Sequence, residues 1–594
     1  MNQYLFIFTI GPVQSFIAQA RKTQDLYIGS QILSELIQFA MREAKQHFDT
    51  YLPIFPSVLS SSNPNRFLAE IGGTKKEIGE IGLSVESKVK EHFLDLAEKL
   101  IPKKHKQNVA LLKAFEQQVN QHLEIFWLFE EIRNGDYKTA YVNIERNLGA
   151  IKNVRSFQQF DYNGIGERGR KCSLDGERNA LFFGKGTNPH YFTSSKWNPE
   201  AIELKGVSNS KVGKNEGLSA VGFTKRFYKK GGFPSTAKIA LMESLHKITG
   251  DSKSDFEKVF GENNLLYQLE KEKCLKLNGK EWMGWDDQFY YEENLIEKYI
   301  PCKQQLEIAK KQHKKLVKAF KDQNLRFDKY YAVLTFDGDD MGKWLSGDQD
   351  PNVNLKDFHI ELSKCLSGFA ANAKIKAPNG REVYSGGDDF LGFVNLNHLF
   401  DVLKELRSQF DEKVNQVLKS KFSLTLDLTF SAGVAIAHYK TPLNIVLDKS
   451  RKMQEMAKES SPSKNALGIA VLKHSGDSNE AVVKWGQIDN IEYLVEELKN
   501  VSDSFSRDLQ QEFATFEDEF IYTHDEIVKV EIKRLIQRKK LKRTFESREE
   551  KNQYLVEFVN NSADLFDYEK RRFGNFKQAL SISQFLNKEI NIQS

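Results

Sequence analysis

Two stretches of this chain lie over each other without a gap: QYLFIFTIGPVQ, starting at Gln3, and KYYAVLTFDGDD, starting at Lys329. Each begins as an apolar run of strand length, and a repeat of that kind constrains the fold to two related, strand-led units. After the first run, a Gly-Pro break precedes Val13, Phe16, Ile17 and Ala20 at helical spacing. A second helix is expected from about Ser30, with Ile32, Leu33, Leu36, Ile37 and Ala40 as its buried stripe. In the repeat register Gly11 takes the place of Asp337, and Val13 that of Asp339. If the two units are related folds, the first has lost its carboxylates and only the second can hold metal.

At 594 residues the chain exceeds the roughly 250 that one core supports, so it must divide. The patterns predict an α+β multidomain protein. A first α+β unit covers residues 1–233 with a loop-rich insertion at Tyr162 to Gly217, a helical domain 234–327, a second α+β unit 328–490, and a helical domain 491–594. Hydrophobic content of 40% and charged content of 28% argue against disorder. The net charge of +5 neither demands nor excludes a nucleic-acid partner. The four cysteines, Cys172, Cys274, Cys302 and Cys365, form no C-x-x-C pair, which suggests the cytosol and neither a disulfide framework nor a complete zinc site. No stretch reaches about 18 apolar residues, so no membrane span is expected and the protein reads as soluble and cytoplasmic.

REVYSGGDDFLGFV reads as a β-hairpin whose turn takes its positive φ angles from Gly386 and Gly387, with Asp388 and Asp389 at the tip. Alone it is an ordinary solvated turn. A second cluster, FDGDDMG, follows the strand YYAVLT, so Asp337 emerges where the chain leaves the sheet, with Gly338 and Asp339 next to it. A helix N-cap accounts for Asp340. It does not account for the whole cluster, nor for its place 51 residues before the second carboxylate pair, enough chain for a helix and a strand to return. Bringing Asp337, Asp388 and Asp389 together is repulsive unless cations neutralise them, and carboxylate ligands favour two Mg2+ or Mn2+ ions of the kind used in phosphoryl transfer. Ser385, Gly386 and Gly387 then let a triphosphate approach the backbone. Lys458 and Lys464 are candidate phosphate contacts or, equally, solvated surface lysines.

With these residues in view, the chain resembles the large, polymerase-like subunit of type III CRISPR effector complexes, in the Cmr-type (III-B) form. The resemblance rests on SGGDD and DGDDMG together with GPVQSFIAQARKTQDLYIGSQILSEL, PNRFLA, EGLSAVGFTKRFYKKGGFPSTAKIA and SAGVAIAHYKTPL, in that family's order. It implies two ferredoxin-like, adenylate-cyclase-like palm domains with helical domains between and after them. Only the second palm is then catalytic, through Asp388, Asp389 and Asp337. It implies activation by guide-directed capture of target RNA and conversion of ATP into cyclic oligoadenylates, or AMP joined to an acceptor such as S-adenosylmethionine. The first palm helps bind the acceptor nucleotide, with Arg21, Asp25, Gly29 and Ser30 as candidates. The implied partners are the other Cmr-type subunits, guide RNA and target RNA.

Two departures from the family stand out. The chain starts at the palm strand, so no HD nuclease domain or DNase activity is expected, and the one His-Asp dipeptide, His524-Asp525, reads as a capping box. KCSLDGE keeps Cys172 but has Asp175 where a second cysteine is expected, which makes structural zinc doubtful. From Lys529 to Arg543, KVEIKRLIQRKKLKR holds eight basic residues over a face of Val530, Ile532, Leu535, Ile536 and Leu541. Lys533, Arg534, Arg538 and Lys539 are its candidates for RNA or subunit contact, a solvated face being the alternative. The rival readings are a diguanylate cyclase, whose hairpin GGDDF resembles, and a catalytically silent scaffold.

Overall fold

The computed structural model describes residues 2–59, 62–154, 169–184, 200–205, 207, 211–213, 215–228, 232–249, 276–277, 280–281, 287–297, 303–473, 476–501, 505, 508–509, 511, 525–539, 541–566 and 573–590. Cys274, Cys302, His524 and much of the expected loop-rich insertion lie outside them.

The first unit runs β1 (Gln3–Gly11), α1 (Gln14–Ala18), α2 (Thr23–His47), β2 (Tyr51–Phe55), β3 (Arg66–Gly72), α3 (Lys75–Glu98), α4 (Val109–Asn120) and β4 (Glu124–Glu131). Its antiparallel sheet has the order β2-β3-β1-β4, and β1 is buried on both faces from Tyr4 to Ile10. The second helix begins at Thr23, earlier than its apolar stripe suggests, because the Asp25 carboxylate accepts the backbone N–H groups of Arg21 and Lys22 at 3.2 and 3.1 Å and fixes the first turn there. After α5 (Tyr137–Asn153) come three short strands, β5 (Phe182–Phe183), β6 (Ile202–Glu203) and β7 (Gly217–Leu218), in one small sheet, then α6 (Ala220–Phe227).

In the expected helical segment, α7 (Thr236–Thr249) and α8 (Lys303–Asp322) enclose a two-stranded ribbon, β8 (Lys276–Leu277) and β9 (Lys280–Glu281). The second unit follows: β10 (Tyr330–Gly338), α9 (Met341–Ser346), α10 (Leu355–Asn372), β11 (Gly380–Ser385), β12 (Asp389–Asn395), α11 (Leu399–Phe410), α12 (Gln416–Phe422) and β13 (Phe430–His438). Beyond it, α13 (Leu443–Glu459) leads to β14 (Ala466–Leu472), parallel to β13, and the edge strand β15 (Ser478–Lys484). The order β11-β12-β10-β13 matches β2-β3-β1-β4 element for element, so the sequence repeat is a repeat of βαββαβ topology, with β1 and β10 in the same central place. Helices α14 (Ile488–Glu497), α15 (Asp525–Arg538), α16 (Arg548–Ala563) and α17 (Phe573–Glu589) end the chain.

Each unit lends a helix to the other. Leu5, Ile7, Ile54 and Leu68 of the first sheet share a core with Phe358, Leu362 and Leu366 of α10. The opposite face of the second sheet, with Tyr331, Val333, Leu391 and Phe393, shares a core with the residues of α2 and α3. A hydrogen bond from Tyr137 Oη to His359 Nδ1, at 2.8 Å, links α5 to α10 in that buried zone.

Helix α13 lies directly on β13 and β14 because Gly433 and Gly468 have no side chain. A Cβ at Gly433 would collide with the backbone of Ser450 and Gln454, which cannot move without the whole helix. Gly433→Ala is expected to lower stability by about 1–3 kcal/mol through overpacking, read as a reduced midpoint in chemical denaturation, and to displace the helix that carries Lys458.

Candidate active site

Strands β10 and β12 pair with Phe336 opposite Phe390 and Asp337 opposite Asp389. Successive side chains alternate faces, so the two pairs point to opposite sides of the sheet. On one side the Phe336 and Phe390 rings stack with centroids 4.8 Å apart, and Phe430 of β13 joins Phe336 at 4.5 Å. On the other, Asp337 and Asp389 meet at the open end of the strands. Asp388 adjoins them in the turn, its carbonyl accepting the Gly338 N–H at 2.9 Å, and a bond from Gly386 N–H to the Asp389 carbonyl at 2.8 Å closes the hairpin. Only Gly387 has a positive φ, 111°, which corrects the expectation for both glycines. A Cβ on Gly386 would meet nothing nearer than 3.8 Å, so its role is to leave the backbone open rather than to permit the turn.

Asp337, Asp388, Asp389, Tyr384 and Gly386 line one end of a cleft of about 270 Å³. Ser30, Asn63, Asn65 and Arg66 of the first unit line the wall across from them. That volume is close to the roughly 300 Å³ at which small-molecule sites begin. Burial, then the Asp337 charge, holds the Asp388 carboxyl above the ordinary range, and burial followed by Asp337 and Asp388 lifts Asp389 to about 7. The Tyr384 hydroxyl lies 3.1 Å from both Asp389 oxygens and donates to that carboxylate. Sequence reasoning gave Tyr384 no role, since nothing in a strand residue marks which carboxylate its hydroxyl will reach.

Lys458, on the last turn of α13, donates to the Asp337 carboxylate and, at 3.3 Å, to the Gly338 carbonyl. It is therefore tied to the carboxylate cluster rather than solvated at the surface. Lys464, held at a φ of 51°, donates to Asp340 at 3.0 Å. Asp340 occupies the N-cap position of α9 but makes no side-chain capping bond. Its carboxylate is engaged by Lys464 and Lys343 instead.

Asp339 is buried, and its Oδ2 accepts the Thr429 hydroxyl at 2.8 Å and the Asn465 N–H at 3.1 Å, which braces the strand end, while its buried Oδ1 has no hydrogen-bond partner among the described residues and is left open to a ligand. Asp25 is committed elsewhere: fully buried, it accepts Arg226 Nε and Nη2 at 2.6 and 2.9 Å, and Arg226 reaches Glu216 as well. Gly29 lies inside α2 against the buried Lys225, whose ammonium caps the carbonyls of Phe16, Ile17 and Gln19. Arg21 is exposed and outside the cleft lining, so of these four only Ser30 faces the cleft. Near Cys172, Asp175 accepts the N–H groups of Glu177 and Arg178 and the Ser219 hydroxyl, a hydrogen-bonded loop closure. On α15, Arg534 binds Glu531 and Lys533 is exposed, and just beyond its end Lys539 binds Asp508. Val530, expected on the packed face, is 61% exposed.

Two βαββαβ units facing each other across a cleft, with the cluster of three aspartates on the second unit only, define a double-palm protein of nucleotidyltransferase-like architecture. Residues 330–468 match the family described as Cas10/Cmr2, second palm domain, and residues 5–127 match CRISPR-associated protein Cmr2, N-terminal. Both palms thus match family models of the Cas10/Cmr2 type. It is 24% identical to the CRISPR system Cmr subunit Cmr2 of Pyrococcus furiosus, over 91% of this chain and 70% of that protein. The fold is shared with chains of the type III-B Cmr-beta complex, both in the apo state (TM-score 0.62, 13% identity, 92% of this chain and 78% of that one) and bound to cognate target RNA (0.61, 13%, 93% and 80%). Among the described residues no helix is long and apolar enough to cross a membrane.

A carboxyl whose folded pKa is raised binds more protons than its unfolded form between the two values, so it removes stability as pH rises through that window. For Asp389 the window runs from 3.8 to about 7. The metal-free protein is expected to lose stability from about pH 4 to about pH 7, and Asp389→Asn to be more stable than the parent at pH ~8, with a flatter profile, in urea titrations.

Proposed function

We propose that the second palm is a metal-dependent nucleotidyltransferase that joins adenylate units from ATP. It works as the large subunit of a cytoplasmic type III-B RNA-guided complex, with other Cmr-type subunits, guide RNA and complementary target RNA as partners. The observation that carries this reading is the cross-strand pair Asp337 and Asp389 with Asp388 beside it, three carboxylates forced together at the end of a cleft. The likeness to Cmr-beta chains, apo and with cognate target RNA, supports the assembly.

Anions so placed require positive charge, and Lys458 already supplies one against Asp337. Asp337, Asp388, Asp389 and the Gly338 carbonyl offer only oxygen, the donor set that suits Mg2+ or Mn2+, and they would hold two such ions. Among the described residues no three carboxylate, imidazole or thiolate groups already form a ligand set. Phosphate oxygens of a bound nucleotide would supply further donors of the same kind. When bound, the ions stabilise the transferring phosphoryl group and lower the pKa of the attacking hydroxyl. Tyr384 keeps Asp389 oriented, the side-chain-free Gly386 and Gly387 admit the triphosphate to the hairpin backbone, and Lys458 meets phosphate once Asp337 no longer needs it.

The product is a cyclic oligoadenylate or AMP joined to an acceptor such as S-adenosylmethionine. Incubating the assembled complex with labelled ATP, Mg2+ or Mn2+ and matching RNA, followed by mass spectrometry, distinguishes these. Asp388→Ala with Asp389→Ala is expected to abolish the product, a loss of at least about 1,000-fold, while leaving target-RNA binding unchanged. Product that persists in the double variant refutes the site. Consumption of GTP to a cyclic dinucleotide favours the diguanylate cyclase, and no turnover of either nucleotide favours the scaffold.

A further inference from the structure

Arg66 is the one arginine or lysine among the described residues that line the cleft, and it comes from the first palm. It opens β3, directly opposite Thr9 on β1. Its Nη1 alone is engaged, donating to Glu145 Oε1 and Oε2 at 3.1 and 3.3 Å, while Nε and Nη2 have no hydrogen-bond partner among the described residues. A guanidinium has five donors in a planar fork that fits a tetrahedral anion on two of them, so one nitrogen on one carboxylate leaves most of its capacity unused. Its charge is felt by Asp388 on the opposite wall. Glu145 belongs to α5, as does Lys152, whose Nζ touches only the Thr9 hydroxyl, at 3.5 Å. Burial, and then the Arg66 charge, push the Lys152 ammonium below its ordinary range. Lys152 is thus a second cation within electrostatic reach of the Arg66–Glu145 pair, of which Arg66 and Glu145 line the cleft.

We propose that Arg66, backed by Lys152, docks the polyphosphate end of a nucleotide in the cleft, and that Glu145 is an internal competitor that occupies Arg66 until that phosphate arrives. The inference rests on the nucleotidyltransferase reading and adds a control to it: the Arg66–Glu145 pair must open for the ligand to seat, so Glu145 sets the affinity. Phosphate carries more charge and more acceptor oxygens than the carboxylate it displaces, and it can bridge Arg66 to Lys152, which Glu145 does not do.

Equilibrium binding to the full chain tests this, with inorganic tripolyphosphate, a non-hydrolysable ATP analogue and adenosine as separate probes and thermal unfolding as a check on the fold. Arg66→Ala is expected to weaken tripolyphosphate and the ATP analogue by about 10-fold or more and to leave adenosine unchanged, Arg66→Lys to recover part of the loss, and Glu145→Gln to tighten both phosphate probes several-fold. Tripolyphosphate affinity within twofold of the parent in Arg66→Ala overturns the proposal, as does weaker binding in Glu145→Gln. If tripolyphosphate binding depends on Arg66 while the ATP analogue does not bind at all, the phosphate site stands and the nucleotidyltransferase reading falls. If the analogue binds the parent and both variants alike, that reading stands and the proposal falls.

Discussion

Phe336, Phe390 and Phe430, on three adjacent strands, stack on the face of the second sheet opposite the carboxylates. Aromatic pairs of this kind contribute about 0.5–1.5 kcal/mol beyond the area they bury, but their larger effect here is on register. A slip of one residue between β10 and β12 would turn the phenylalanines out of the core and carry the aspartates into it. The apolar ladder thereby holds Asp337 opposite Asp389, an arrangement that the charges themselves oppose. Catalytic geometry in this protein is stored in packing.

The two sides of the cleft differ in charge make-up, with three aspartates on the second palm and an Arg66–Glu145 pair on the first. On the second palm, burial and crowding raise the Asp388 and Asp389 carboxyls, with Lys458 as local counter-charge and Tyr384 as hydrogen-bond donor. On the first palm, the place of Asp337 is taken by Gly11, and extending the β1–β3 register puts Pro64 where the second palm has Asp389. What the first palm offers instead is Arg66. A duplicated fold has thus become a site with an acidic wall on one palm and a guanidinium held by a single carboxylate on the other, an asymmetry that suits a ligand whose phosphates must be gripped at one end and whose reacting atoms meet cations at the other.

Much of this was legible in the sequence, because the decisive signals are local: a strand-length apolar run ending in carboxylates, a glycine turn, and the same run again without its acids. The topology of both palms and the meeting of Asp337 with Asp389 follow from those patterns. What sequence reading missed depends on residues far apart. Asp25 resembled a ligand-binding acid because its partner, Arg226, lies 201 residues away. Asp339 sat in the right motif, yet Thr429 and Asn465, far along the chain, occupy one of its two oxygens. Arg66 lay inside PNRFLA, where no spacing rule distinguishes a cleft-lining arginine from a surface one.

The exchange of helices between the palms has a mechanical consequence. Because α10 packs against β2 of the first sheet and α2 against β11 of the second, with apolar side chains of both palms in common cores, the two palms cannot be parted without baring apolar surface. The two walls of the cleft are thus geared together: a tilt of α10 against the first sheet moves the hairpin-bearing wall and the Arg66-bearing wall at once. A contact made far from the cleft, on either palm, then has a stiff route by which to change the gap in which the chemistry takes place.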